Sequence, residues 1–152
     1  MVSFLNGGHL VVPEKGTLPA IRKTVVLNAP IEKVWKAVAT SEGIAGWWMR
    51  NTFEPVPGRE FVLHTERFGD SPCRVTEVVP MTRVGFDWGK DWHITFELKE
   101  LEGGKTEFTL IHSGWDADKV TEFGQPHPKI RDIMDGGWEQ IVKKDLPAYV
   151  EA

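Results

Sequence analysis

The segment from Leu27 to Trp48, LNAPIEKVWKAVATSEGIAGWW, constrains the fold more than any other part of the chain. An apolar-rich run, TVVLNA, stops at Asn28-Ala29-Pro30 and passes directly into a short amphipathic helix. That helix carries Ile31, Val34, Trp35 and Val38 on one face. A second helical turn then delivers the paired tryptophans Trp47 and Trp48. A strand that hands over to a helix and ends on two large aromatics requires an architecture with something to enclose.

Alternation and punctuation fill in the rest. Residues 1–19, broken by Asn6-Gly7-Gly8, Pro13, Gly16 and Pro19, read as an N-terminal extension, and residues 20–152 as one domain. Residues 20–28 are predicted as a strand and 31–39 as a helix, with Pro30 at the first-turn position that proline favours. Ser41 is expected to cap the second helix, with Glu42 in its first turn. Asn51–Phe53 is a short candidate strand, and REFVLHTERF after Gly58 is a longer one. Gly69-Asp70-Ser71-Pro72 is predicted as a turn into CRVTEVV, and Pro80-Met81 separates that strand from RVGFDW. In WHITFELKEL, Trp92, Ile94, Phe96 and Leu98 share one face. Glu102-Gly103-Gly104-Lys105 is a hairpin signal, followed by TEFTLIHSGW.

From Pro128 the period changes. Ile130, Ile133, Met134, Gly137, Trp138, Ile141, Val142 and Tyr149 recur at three and four residues, the mark of a long amphipathic helix. Pro147 should kink or end regular helix near Asp145. Gly136-Gly137 in mid-helix suggests a close approach, where a side chain would obstruct the sheet or a cavity. An antiparallel sheet must cover one of its faces, and this helix is the only element long enough to do so.

Composition narrows the function classes. A net charge of −4 argues against nucleic acid, and no run approaches the length of a membrane span. The single cysteine, Cys73, and an amino terminus with neither a basic start nor a long apolar core point to a reducing cytoplasm. Walker-type glycine spacing is absent.

Four pieces carry a family resemblance. They are NAPIEKVWKAVATSEGIAGWW; CRVTEVVPMTRVGFDW, with its Glu-x-x-Pro turn; TEFTLIHSGW, with its His-x-Gly-aromatic ending; and GGWEQIVKKDL. Together, over roughly residues 20–150, they resemble the SRPBCC (START-like, helix-grip) superfamily. The closer similarity is to its bacterial branch related to the activator of heat-shock-protein-ninety ATPase. The resemblance implies an α+β helix-grip fold. A curved antiparallel sheet of six or seven strands would wrap around a long C-terminal helix, with two short helices after the first strand. Members bind lipids, polyketides, hormones or proteins, and a few are enzymes, so the scaffold does not name the cargo.

The side chains offer few chemical groups. Of five histidines, none falls into a metal-ligand spacing, and no metal or cofactor is expected. His93 and His112 lie on neighbouring strands but differ in parity, so they do not share a face unless a bulge intervenes. Cys73 has no local histidine partner and reads as a small strand residue. Glu66, Glu77 and Asp87 are the carboxylates whose parity leaves entry into a cavity open. No catalytic residue is assigned.

The tryptophans gather near segment ends, where a cavity would open. The expected lining is Trp48, Trp88, Trp92, Phe96, His112, Phe123, Met134 and Trp138, with the loop EFGQPHP (122–128) as a lid. The leading expectation is a module that binds a small apolar or aromatic ligand. A chaperone-directed interaction module and a cavity enzyme such as a cyclase or hydrolase stand as alternatives. An exposed edge strand leaves a homodimer open.

Overall fold

The computed structural model describes residues 3–4, 10–11, 16–66, 69–122 and 124–152. Strands β1 (Ser3–Phe4) and β2 (Leu10–Val11) form a small antiparallel pair. The main sheet contains β3 (Ile21–Leu27), β4 (Glu60–Thr65), β5 (Gly69–Val79), β6 (Arg83–Trp88), β7 (Trp92–Leu101) and β8 (Lys105–Ser113). Its order is β3-β8-β7-β6-β5-β4, antiparallel throughout. Two short helices, α1 (Ile31–Val38) and α2 (Ser41–Trp47), follow β3. The chain ends with α3 (His127–Gln140), a π-helical turn (Ile141–Asp145) and α4 (Leu146–Val150). The α+β helix-grip architecture expected above is therefore the one observed.

Strict alternation fixes which face is covered. Cross-strand pairs Val84↔Phe96, Phe86↔Ile94, Trp88↔Trp92 and Ile94↔His112 place their side chains on the inner face, where all are buried. The intervening Asp87, His93, Glu97 and Glu107 stand on the outer face, as the period of two requires. A register shift between Val75 and Glu77 bends β5 against β6.

Four local expectations need correction. Gly69-Asp70-Ser71-Pro72 is strand, not turn: it pairs with β4 from Thr65↔Gly69 to Val62↔Pro72. Proline is tolerated because Val62 N–H donates to Thr52 Oγ1 rather than across to β5, so at this pair no β4 carbonyl awaits the missing donor. Asn51–Phe53 is not a strand of its own. Asn51 makes one bridge to Leu63, and Thr52 N–H and Arg50 C=O bond to β4 at its outer edge.

The cap of α2 is Thr40, whose Oγ1 accepts from Gly43 N–H at 2.9 Å and donates to Lys36 C=O at 2.6 Å. Ser41 instead donates to Asn51 C=O, tying α2 to the approach of β4. At Gly136 and Gly137 an added Cβ would meet nothing within 4 Å, so no close helix–sheet approach accounts for them. The effect foreseen for Pro147 takes the form of the widened turn at Ile141–Asp145, after which α4 resumes.

Candidate functional site

The two tryptophans closing α2 part ways. Trp47 turns inward, donates from Nε1 to Ala37 C=O at 2.7 Å, and packs edge-on against Phe96 (5.5 Å) and Phe108 (6.0 Å). Trp48 caps the helix and lies over the other end of the sheet, 5.6 Å from Trp88 and 4.9 Å from Trp138. Beneath α1 and α2, Trp47 packs into the buried core with Phe96 and Phe108. Between α3 and the β4–β7 part of the sheet a pocket of about 410 Å³ remains.

Its sheet wall carries Trp88 and Trp92, with Ser71, His64, Thr65 and Glu66 from the β4–β5 hairpin. Its helix wall carries Ile133, Met134, Gly137, Trp138 and Ile141, and Trp48 and Met49 close one side. Of the side chains expected to line a cavity, Trp48, Trp88, Trp92, Met134 and Trp138 stand on this wall. Phe96 and His112 do not: they are fully buried one layer deeper. Phe96 lies under Trp48 at 6.1 Å. Phe123 lies outside the described residues. Of these hairpin residues the sequence reading raised Glu66 alone; Ser71 escaped it because a turn was placed where β5 begins.

His112 organises the aromatic floor. Trp138 Nε1–H donates to its Nδ1 at 2.9 Å, and Trp115 Nε1–H donates to its carbonyl at 2.9 Å. An Nδ1 that accepts must be unprotonated, so the proton sits on Nε2. Burial, with Arg131 and His127 nearby, drives its pKa down to about 3. His112 is therefore a neutral structural hub, with no carboxylate to make it a base.

The other candidate groups do not converge. His93 lies on the outer face with Nδ1 2.9 Å from Asp87 Oδ1, so no histidine dyad forms with His112. Arg83 holds Glu77 in a two-pronged pair that lowers the carboxyl's pKa, again away from the pocket. Glu66 alone of the three questioned carboxylates reaches the pocket wall. His64 Nδ1 is 2.6 Å from Asp70 Oδ1, and although His64 shares the pocket wall with Ser71 and Glu66 it is hydrogen-bonded to neither. Burial, with Asp87 nearby, pushes the Cys73 thiol well above its ordinary range, which leaves it inert. Among the described residues no group of three His, Cys, Asp or Glu could hold a metal ion.

Several described residues ahead of α3 are hydrogen-bonded to their surroundings. His127 is buried; its Nδ1 accepts from Asp116 N–H at 3.2 Å, and its Nε2 faces Asp91 Oδ2 at 3.5 Å. Thr121 Oγ1 accepts from Gln125 N–H, and Glu122 approaches Lys90 N–H. His127 had no signal in the sequence beyond its place before Pro128.

The family described as activator of Hsp90 ATPase homolog 1-like protein matches residues 28–151. The solution structure of Bacillus halodurans protein BH1534 is 44% identical, covers 89% of this chain and 99% of its own, and superposes with a TM-score of 0.79. The solution structure of the Aha1 dimer from Colwellia psychrerythraea is 20% identical over 87% of this chain and 96% of that one, with a TM-score of 0.68. The crystal structure of PFC0360w, an HSP90 activator from Plasmodium falciparum, is 16% identical over 82% of this chain and 90% of that one, with a TM-score of 0.66. At such identities the last two bear on the fold alone. No curated protein matches the chain. Among the described residues no helix is long and apolar enough to cross a membrane.

Proposed function

Because the chain belongs to the activator of Hsp90 ATPase homolog 1-like family, we propose that it holds a small apolar or aromatic molecule between the sheet and α3. One observation carries this reading. Four tryptophans, Trp48, Trp88, Trp92 and Trp138, meet on the wall of a pocket whose size suits a drug-like ligand. Apolar burial at roughly 25 cal/mol per Å² supplies the affinity, and the hairpin's Ser71, Thr65 and Glu66 orient the ligand's polar end. Binding rather than catalysis is proposed because His64 on the pocket wall pairs with Asp70 and not with Ser71 or Glu66, which leaves no hydrogen-bonded nucleophile–base pair among these lining residues.

Titration with a panel of apolar and aromatic metabolites tests it, following tryptophan fluorescence and melting temperature together. A ligand at 100 times its Kd should add about 2.7 kcal/mol of stability. A quench without any rise in melting temperature, across the whole panel, would sink the proposal.

A second reading, docking to a chaperone, draws on the printed name of the Plasmodium protein and on Ile133, an apolar side chain 51% exposed at the pocket mouth. Pull-down with purified Hsp90 separates the two. The Colwellia protein is a dimer, and β3, as an edge strand, is where a second copy of this chain would add.

A further inference from the structure

His127 joins the two walls of the pocket at one end. It is the first residue of α3, whose Ile133, Met134, Gly137, Trp138 and Ile141 form the helix wall, and its ring lies 6.0 Å from that of Trp92 on the sheet wall. The ring is buried, and separate segments of the chain meet on it. Asp116 N–H, from the connection after β8, donates to Nδ1 at 3.2 Å. Asp91, in the β6–β7 turn beside Trp92, presents Oδ2 to Nε2 at 3.5 Å. The backbone N–H of His127 donates to Lys119 C=O at 3.0 Å.

The two sides of the ring make opposite demands. An Nδ1 that accepts carries no proton, so neutral His127 holds its proton on Nε2, towards Asp91. Asp91 Oδ2 is sealed from solvent and makes no hydrogen bond, whereas Oδ1 accepts from Lys119 Nζ at 3.2 Å. A carboxylate oxygen in that state is costly, and an imidazolium would serve it with a stronger, charge-assisted bond. A second proton, however, has only Nδ1 to occupy, and there it meets Asp116 N–H donor to donor. One contact tightens and the other breaks. Other charged or titratable groups near the ring are the Asp116 carboxylate, whose Oδ1 accepts from Asp118 N–H, and Arg131, one turn along α3, which donates to Pro19 C=O. His112, behind them in β8, remains neutral above about pH 3.

We propose that His127 is an acid-operated clasp between the pocket walls. Neutral, it holds the start of α3 to Asp116. Protonated, it lets go of the Asp116 N–H and closes on Asp91, which shifts the start of the helix wall and weakens the pocket's grip on its occupant. The switch stands on the clasp geometry alone; its effect on an occupant rests on the pocket-binding reading above.

NMR of the full chain tests it between about pH 8 and about pH 5, the span in which imidazole ordinarily titrates. At the upper end the His127 ring should be the neutral tautomer with its proton on Nε2. As the pH falls Nδ1 should gain a proton, and the Asp116 amide should lose about tenfold in exchange protection after correction for the intrinsic pH dependence of exchange. The amides of β7 report global unfolding and should lose less. H127N, whose Oδ1 accepts from Asp116 N–H but takes no proton, should keep Asp116 protection flat. The probe 2-acetylnaphthalene, itself uncharged throughout, should bind the wild type at least about threefold more weakly at the acid end. Its affinity for H127N should not change with pH.

The ring and amide measurements are made on the unaltered protein, so they decide the switch even where H127N fails to fold. A His127 ring that stays neutral across the range overturns it, and so does a ring that gains its proton while Asp116 protection holds. A folded H127N that loses Asp116 protection as steeply as the wild type overturns the assignment to His127. Equal probe affinity at both ends overturns the coupling to the pocket and leaves the switch standing. A probe that binds at neither end counts against the pocket reading, and the ring and amide then decide the switch alone.

Discussion

Two helical glycine pairs do opposite jobs at the two ends of the sheet. In α2, an added Cβ at Gly43 would collide with Lys36 C=O, and one at Gly46 would collide with the Tyr149 ring of α4. These glycines let α1, α2 and α4 pack together. In α3, Gly136 and Gly137 face open space. The first pair closes one end around Trp47, Phe96 and Phe108; of the second, Gly137 borders the pocket at the other end, beside Trp48, Trp88 and Trp138. The same residue type thus makes a core in one place and a pocket in another, and neighbouring atoms decide which.

The sharpest way to break that comparison is Gly43→Ala. The obstructing atoms are backbone, Lys36 C=O and Ala37 Cα, and cannot swing away as a side-chain tip would. Denaturant unfolding should show a loss at or above the roughly 3 kcal/mol typical of severe overpacking. A loss under about 0.5 kcal/mol would mean that α1 and α2 are not locked together there.

Acid should then expose the difference between the buried floor and the wet rim. The folded pKa of His112, about 3, lies below its ordinary 6.5. Above 6.5 neither state takes a proton, and its contribution is complete. As pH falls below 6.5 the unfolded chain gains a proton that the folded one refuses, and stability drops by about 1.4 kcal/mol per unit until about pH 3. Between pH 7.5 and 5.0 the expected loss is about 2 kcal/mol. The carboxylate of Glu77, whose pKa is lowered from 4.5, adds its own loss only below that window. His112→Gln, which keeps an acceptor for Trp138, should flatten the slope. An equally steep H112Q would assign the acid sensitivity to another group.

Much of the fold was legible because period reports directly on burial. The alternation of Trp92, Ile94, Phe96 and Leu98 placed all four on the covered face, where they are found. The different parities of His93 and His112 put them on opposite faces, as observed. Depth is another matter. Parity placed Phe96 and His112 inward, but whether they reach the pocket depends on Trp48, Trp88 and Trp138 covering them. Ser71 was hidden by a proline and a glycine that read as a turn, though the hydrogen bond from Val62 N–H to Thr52 makes Pro72 harmless in a strand. Adjacent hydroxyls at Thr40 and Ser41 are equivalent in sequence, and only the geometry of the α1–α2 corner chooses the cap.

Gly137 gives the smallest effect and the most telling sign. If close packing required glycine, Gly137→Ala would clash and destabilise, as at Gly43. The open surroundings predict the reverse. A methyl group meets nothing, helix propensity improves, and the unfolded chain loses freedom, together worth about 0.5–1 kcal/mol of added stability. The melting temperature should rise by a few degrees, on the scale of 2–8 °C per kcal/mol for domains of this size range. A glycine whose removal stabilises the fold is one that folding did not select. A rise paired with weaker binding of aromatic ligands would locate the selection in the space the glycine leaves. A fall would return Gly137 to the packing role that Gly43 has, and the contrast between the two ends of the sheet would collapse.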